Sequence, residues 1–189
     1  MPIEKMTRSK MIQALKLLAE LAEKEHLYLE LCIYGGSALM LAYDCRESSK
    51  DIDVIMRPRD KALRLAQKVA ETLNLHEDWL NDDVKMYLGE KPALRQLVLD
   101  EVNSPFLTLS VPTAGYLLAM KALACRRVLP GFKGDIDDLS FLIKKMNIRS
   151  VEEIQIHIDK YFIDSPLPAA TVAFLEDLLI KIWGNTQHA

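Results

Sequence analysis

The chain has 189 residues, of which 50% are hydrophobic and 27% are charged, and its formal net charge is -3. A chain of this length forms one domain or two small lobes that share a core, and it needs no disulfide or structural metal to fold. The mild negative charge argues against a protein that coats nucleic acid with its whole surface.

The first 111 residues have the pattern of a mixed α and β domain. Apolar residues at helical spacing predict a helix from Thr7 to about Glu25, and a mostly apolar strand follows over Leu27–Tyr34. After a Gly35-Gly36 turn, Ser37–Tyr43 predicts a short helix. The later predicted elements are a strand at Ile52–Met56, a helix with its body at Ala62–Leu73, and strands at Leu94–Asp100 and Phe106–Val111, whereas most of residues 76–105 gives no clear pattern.

The sequence from residue 112 onward predicts only helices. Ser150 and Glu153 form a capping box, and Gly184 is a typical C-terminal stop. The four predicted helices are Thr113–Val128, Asp135–Met146, Val151–Tyr161 and Leu167–Trp183. We therefore predict the α+β class, with a mixed sheet and helices over residues 1–111 and an all-helical C-terminal lobe, packed on that domain, over residues 112–189.

The most specific motif is GGSALMLAYDCRESSKDIDV at residues 35–54. Alternation along a strand puts Asp51 and Asp53 on one face, and two neighbouring carboxylates repel each other unless a cation lies between them. Mg²⁺ prefers such oxygen ligands, usually together with substrate phosphates. The preceding Gly-Gly-Ser turn offers a close backbone approach and free N–H donors at a helix start. Taken singly, a Gly-Gly is usually a tight turn and an Asp-x-Asp is usually solvated, but their order in strand, turn, helix and strand favours a phosphate and metal site.

Four segments in order, GGSALML, DID, VPTAGYLLAMKALACR and DIDDL, resemble the nucleotidyltransferase superfamily with the DNA polymerase β-like fold. The whole chain is similar to AbiEii-type toxin nucleotidyltransferases and their bacterial and archaeal relatives. The resemblance implies that Gly35, Gly36 and Ser37 hold the triphosphate of an NTP and that Asp51 and Asp53 bind Mg²⁺ or Mn²⁺. Lys50, with Arg46, precedes the acidic strand, and either could contact phosphate or lie in a solvated loop.

Lys121 lies in the middle of the apolar stripe of its predicted helix, where a charge is costly unless the side chain reaches solvent or meets an anion. Both explanations stay open on the helical pattern alone. The resemblance places a lysine of this helix at the active site, so Lys121 is a candidate for nucleotide binding and catalysis.

Asp135 and Asp138 lie on or beside the inward face of the next predicted helix, although Asp135 also fits a helix N-cap. The resemblance implies that this segment returns an acid to the catalytic cleft, so the predicted catalytic set is Asp51, Asp53, Lys121, Asp135 and Asp138. The predicted strand at residues 106–110 carries no third carboxylate, for which Asp100 and Glu101 are the weak candidates. A catalytically inactive relative therefore stays open.

These features predict the metal-dependent transfer of an NMP group from an NTP to an RNA, protein or small-molecule acceptor. The resemblance adds a tRNA or protein acceptor, an antitoxin partner and a toxin–antitoxin or phage-defence role. The alternative is a degenerate protein that acts by binding a nucleotide or a partner. The C-terminal helices lack a basic recognition face for DNA.

The sequence lacks several motifs that would indicate secretion, a membrane span, or a zinc or haem site. The N-terminal residues have no apolar signal-peptide core, and no apolar run has the roughly 20 residues that span a bilayer, so we expect a cytoplasmic protein without a membrane partner. Three scattered cysteines and four histidines without an HExxH spacing argue against a zinc or haem enzyme.

Overall fold

The computed structural model describes residues 5–125 and 134–184, and the chain divides into two compact units. The first unit comprises Met1–Met86 and Leu94–Pro112, and the second comprises Tyr87–Ala93 and Thr113–Ala189. The first unit combines a mixed sheet with helices, and the described secondary structure of the second is helical. The predicted α+β class is therefore confirmed.

The first unit begins with a short strand and a long helix. The strand β1 covers Met6–Thr7, and Thr7 caps helix α1 (Arg8–Lys24) by accepting a 3.3 Å hydrogen bond from the Lys10 N–H. The apolar spacing that predicted this helix corresponds to its buried face. The elements that follow are β2 (Leu29–Ile33), α2 (Gly35–Tyr43), β3 (Ser48–Ser49), β4 (Ile52–Arg57), α3 (Arg59–Leu73), β5 (Leu80–Asn81), β6 (Leu94–Gln96) and β7 (Leu107–Pro112).

Five strands form one mixed sheet in the order β5-β4-β2-β7-β6. The central strand β2 is antiparallel to β4 and parallel to β7, and β5 continues the sheet in parallel with β4. Along β4, Ile52 and Val54 are buried while Asp53 and Ile55 are half-buried. The predicted alternation of this strand is confirmed, and it places Asp53 on the less buried face.

A separate two-stranded sheet ties the loop before β4 to the N-terminal segment. β1 pairs antiparallel with β3, and Met6 lies opposite Ser49. Met6 is itself buried. Backbone hydrogen bonds thus hold the loop between α2 and β4 against the segment that begins α1.

Several predicted boundaries need correction. Helix α2 begins at Gly35, two residues before the predicted start, because the chain turns sharply at Gly35 itself. Helix α4 ends at Leu123 rather than Val128, and residues 126–133 lie outside the described part. The strand predicted at Leu94–Asp100 is reduced to β6, and Asp100 lies in a short 3-10 turn.

The second unit packs its helices around α4 (Ala114–Leu123), which contacts α5 (Gly134–Met146) and α6 (Val151–Tyr161). The last helix, α7 (Ala169–Trp183), contacts α5 and α6 and starts after Pro168, two residues later than predicted. Half of the predicted capping box forms, since Ser150 accepts the Glu153 N–H at 3.3 Å. The Glu153 carboxylate instead accepts the N–H of Arg149 at 3.0 Å.

Among the described residues, no helix combines the length and the apolar character that crossing a membrane requires.

Candidate functional site

The site begins at the junction of β2 and α2. Tyr34 is extended, and its N–H donates a 2.8 Å hydrogen bond to the Asp53 carbonyl of the neighbouring strand. Gly35 then adopts a φ of +61°, in the left-handed region that favours glycine. This one residue turns the chain from the sheet into α2, whose first N–H groups have no acceptor within the helix itself.

Two neighbouring glycines leave room for side chains of other segments at the start of α2. A Cβ at Gly35 would lie 2.9 Å from Asp53 Oδ2. A Cβ at Gly36 would overlap the guanidinium of Arg46 and would lie 3.2 Å from Ser49 Oγ. The missing side chains therefore allow a carboxylate and a guanidinium to lie directly against the first turn of the helix.

Ser37, the third residue of the predicted phosphate turn, is fully buried. Its hydroxyl donates a 2.9 Å hydrogen bond to the Tyr34 carbonyl. The side chain thus stabilises the first turn of α2, and the donors that a phosphate would meet there are the backbone N–H groups of the turn. Phosphate binding by Ser37 stays a prediction.

Asp51 lies one residue before β4 and is half-buried. Burial raises the pKa of its carboxyl above the ordinary value, and repulsion from Asp83 adds to the rise, while the charge of Lys50 opposes it. The protein thus holds this carboxylate where its negative charge is incompletely compensated by the chain's own groups. A bound cation would supply the missing compensation.

Asp51 and Lys50 open onto a cavity of about 340 Å³ in the first unit. The other residues that line the cavity come from the segment that precedes and includes β5, and from the turn after it: His76, Asp78, Trp79, Asn81 and Asp83.

This segment is held in place by a buried tryptophan. The indole N–H of Trp79 donates to the Ala66 carbonyl of α3 at 2.9 Å. Asn81 pairs with Asp53 across the β4–β5 ladder, and its side-chain oxygen accepts the Asp83 N–H at 3.1 Å. These contacts bring polar side chains of residues 76–83 beside the Asp-x-Asp strand. The sequence indicated no mechanism for them; their one signal was that residues 79–85 resemble a segment found in members of the superfamily.

The donor set fits a cation that arrives together with a phosphate ligand. Among the residues that the structure describes, no group of three or more histidine, cysteine, aspartate or glutamate side chains is arranged to hold a metal ion. Mg²⁺ commonly takes only one or two carboxylates and completes its shell with water and substrate phosphates. Asp51, whose charge is poorly compensated, and Asp53, which lies against the helix start, match that mode of binding.

Lys121 and Asp138 lie in the second unit, where they form an ion pair of 2.8 Å between Nζ and Oδ2. Only 16% of the Lys121 side chain and 1% of the Asp138 side chain are exposed. The anion that this lysine meets on its apolar stripe is therefore Asp138. Asp135 belongs to α5, but its side chain lies outside the described residues, so its predicted role is neither supported nor opposed.

A third catalytic carboxylate, beside Asp51 and Asp53, was expected on a later strand or at Asp100 or Glu101. β7 carries none, as predicted for its sequence, and Asp100 and Glu101 are exposed in a 3-10 turn. Asp83, by contrast, lines the same cavity as Asp51.

Comparison with known proteins gives one family. The model of a family described as a nucleotidyltransferase of unknown function (DUF6036) matches residues 9–172. The match includes Gly35 and Gly36, the Asp-x-Asp strand and the Lys121–Asp138 pair. No curated protein and no solved structure matches the chain.

Replacing Lys121 with methionine is expected to lower the free energy of unfolding by about 3–5 kcal/mol, because it removes the cation beside a buried carboxylate. Urea titration of the variant measures this. Lys144→Met, at an exposed position of α5, is the matched control and should change the free energy by less than about 0.5 kcal/mol. The double variant Lys121→Met/Asp138→Leu should recover most of the loss. An unchanged stability of Lys121→Met alone would show that Lys121 does not compensate the charge of Asp138.

Replacing Asp51 with asparagine is expected to raise the melting temperature at pH 7.5 in metal-free buffer. Because the pKa of Asp51 is raised in the folded state, its ionised form destabilises the fold above that pKa and the effect disappears as the pH falls toward the ordinary value of 3.8. The gain should therefore shrink in scans made at decreasing pH. Asp137→Asn, at an exposed position, should show no gain, and a gain for Asp51→Asn that grows at low pH would be the opposite of this expectation.

Proposed function

The chain belongs to the family of nucleotidyltransferases of unknown function (DUF6036), and from this premise we propose that it is a metal-dependent enzyme that transfers an NMP group from an NTP to an acceptor. The observation that carries the proposal is the convergence at the start of α2. There the Asp53 carboxylate lies against Gly35 at the start of a helix whose first N–H groups favour a phosphate.

Binding of the nucleotide is assigned to the first unit. The N–H groups of Gly35, Gly36 and Ser37 would hold the β- and γ-phosphates, and Lys50 would lie beside them. Asp51 and Asp53 would hold Mg²⁺ or Mn²⁺. When bound, such a cation neutralises phosphate charge and aligns an in-line displacement. The roles that the family resemblance gives to Lys121, Asp135 and Asp138 stay predictions.

Asp83 is our candidate for the third carboxylate of the reaction. It lines the cavity that Asp51 shares, and it is close enough to affect the pKa of Asp51. As a general base, it would accept the proton of the acceptor hydroxyl while the hydroxyl oxygen attacks the α-phosphate and pyrophosphate leaves. The proposal covers RNA, protein and small-molecule acceptors, with a toxin–antitoxin or phage-defence role as one setting and the cytoplasm as the expected location.

A second candidate is a nucleotide-binding protein without transferase activity. The observation that favours it is the lack of a carboxylate on β7, which comes later in the chain than β4 and lies next to the central strand β2. The two candidates share nucleotide binding and differ in group transfer.

Asp53→Ala is expected to abolish Mg²⁺-dependent binding of NTP, because it removes the carboxylate at the helix start. Calorimetry with ATP or GTP, with and without Mg²⁺, measures the loss. The matched control is Asp60→Ala, whose side chain is 95% exposed in the same unit and which should bind as the wild type does. Unchanged affinity in Asp53→Ala would remove Asp53 from the site.

Transfer itself is tested with α-labelled NTPs, bulk tRNA and a candidate protein acceptor. If label appears on any acceptor with the wild type and not with Asp53→Ala, the result supports transferase activity. Binding of Mg²⁺-NTP without label on any acceptor supports the second candidate.

Asp83→Asn is expected to keep NTP affinity within about threefold and to lower the rate of transfer by about 100-fold or more, which is the usual contribution of a general base. Single-turnover kinetics at a series of pH values measures the transfer rate. The rise of that rate with pH that a general base produces should be lost in the variant. Asp60→Asn, at an exposed position outside this cavity, serves as the control. A transfer rate in Asp83→Asn equal to that of the wild type would exclude the assignment.

A further inference from the structure

Arg46 lies on the loop between α2 and β4, and it is half-buried against the start of α2. A Cβ at Gly36 would collide with its guanidinium, so the guanidinium fills the space that this glycine leaves. Ser49 Oγ borders the same space at 3.2 Å from that Cβ position. The arginine is thus next to the N–H groups at the start of the helix.

The loop is built to keep Arg46 in this position. Ser48 and Ser49 pair with Thr7 and Met6 in the two-stranded sheet, and Met6 is buried. Asp44, the C-cap of α2, adopts a φ of +53°, and the N–H of Cys45 donates a 3.3 Å hydrogen bond to the Leu39 carbonyl of α2. These contacts fix the loop at both sides of the arginine.

The electrostatics of this placement favour an anion. A helix start carries partial positive charge, and the guanidinium beside it adds a full positive charge, so this turn suits a ligand with more than one negative charge. The Asp53 carboxylate lies against Gly35 on one side of the same turn, and the Arg46 guanidinium lies against Gly36 on the other. A chain of phosphates at this turn would have the carboxylate and its cation on one side and the guanidinium on the other.

We propose that Arg46 binds the pyrophosphate portion of the nucleotide and selects triphosphates over monophosphates. This inference rests on the proposed function and adds a residue to it. Arginine suits this role better than lysine because its planar fork can bind two phosphate oxygens at once. When the bond to the α-phosphorus breaks, the leaving pyrophosphate gains negative charge at the oxygen it keeps, and the guanidinium would stabilise that charge.

The test compares Arg46→Gln with wild type in calorimetry with Mg²⁺-ATP, Mg²⁺-pyrophosphate and AMP as separate probes. Affinity for ATP and pyrophosphate should fall at least tenfold, whereas affinity for AMP should stay within twofold. Arg57→Gln, at the exposed far end of β4, is the matched control and should bind all three probes as the wild type does.

Gly36→Ala provides a second variant, because its methyl group would displace the guanidinium, the far end of a flexible side chain. It should weaken pyrophosphate binding by itself. The double variant Arg46→Gln/Gly36→Ala should bind pyrophosphate only slightly more weakly than Arg46→Gln, because both changes remove the same contact. Circular dichroism and melting curves confirm that each variant is folded.

Two outcomes overturn the inference in distinguishable ways. If the wild type binds ATP or pyrophosphate and Arg46→Gln binds them equally well, the role of Arg46 is wrong and the proposed function stands. If the wild type binds none of the probes in Mg²⁺, both fail together.

Discussion

The candidate site depends on a steric constraint, the absence of side chains at Gly35 and Gly36. The left-handed backbone at Gly35 sets the direction in which α2 leaves the sheet, and the Tyr34–Asp53 hydrogen bond ties this junction to β4. A Cβ at either glycine would lie in space now taken by Asp53 or Arg46. One local feature thus determines the course of the chain and also which charged groups reach the helix start.

The two units treat buried charge in opposite ways. In the second unit the carboxylate of Asp138 is compensated by Lys121 at 2.8 Å, inside the protein. In the first unit burial outweighs the help that Asp51 receives from Lys50, and its pKa rises. A buried charge that the chain itself compensates needs no ligand to neutralise it. A charge left poorly compensated beside a cavity is the kind that a ligand completes.

The sequence predicted those parts of the fold that depend on local patterns. The alternation along β4 and the apolar stripe of α1 repeat over several residues, so they identify the strand, the helix and their buried faces. Lys121 was recognisable because it interrupts such a stripe. Its pairing with Asp138 depends on how two helices pack, which no local pattern contains.

Prediction failed where structure is set by contacts distant in sequence. β5 has two residues, and its position depends on the hydrogen bond from the Trp79 indole to α3. Strands this short have no periodicity to detect, so the cavity residues Asn81 and Asp83 could not be assigned. For Arg46 the sequence left open a phosphate contact or a solvated loop, and only the fold brings its guanidinium to Gly36. On the proposed function, Asp51 and Asp53 hold the cation, and since no group of three such metal ligands lies among the described residues, phosphate oxygens of the nucleotide complete its coordination and the two bind as one complex.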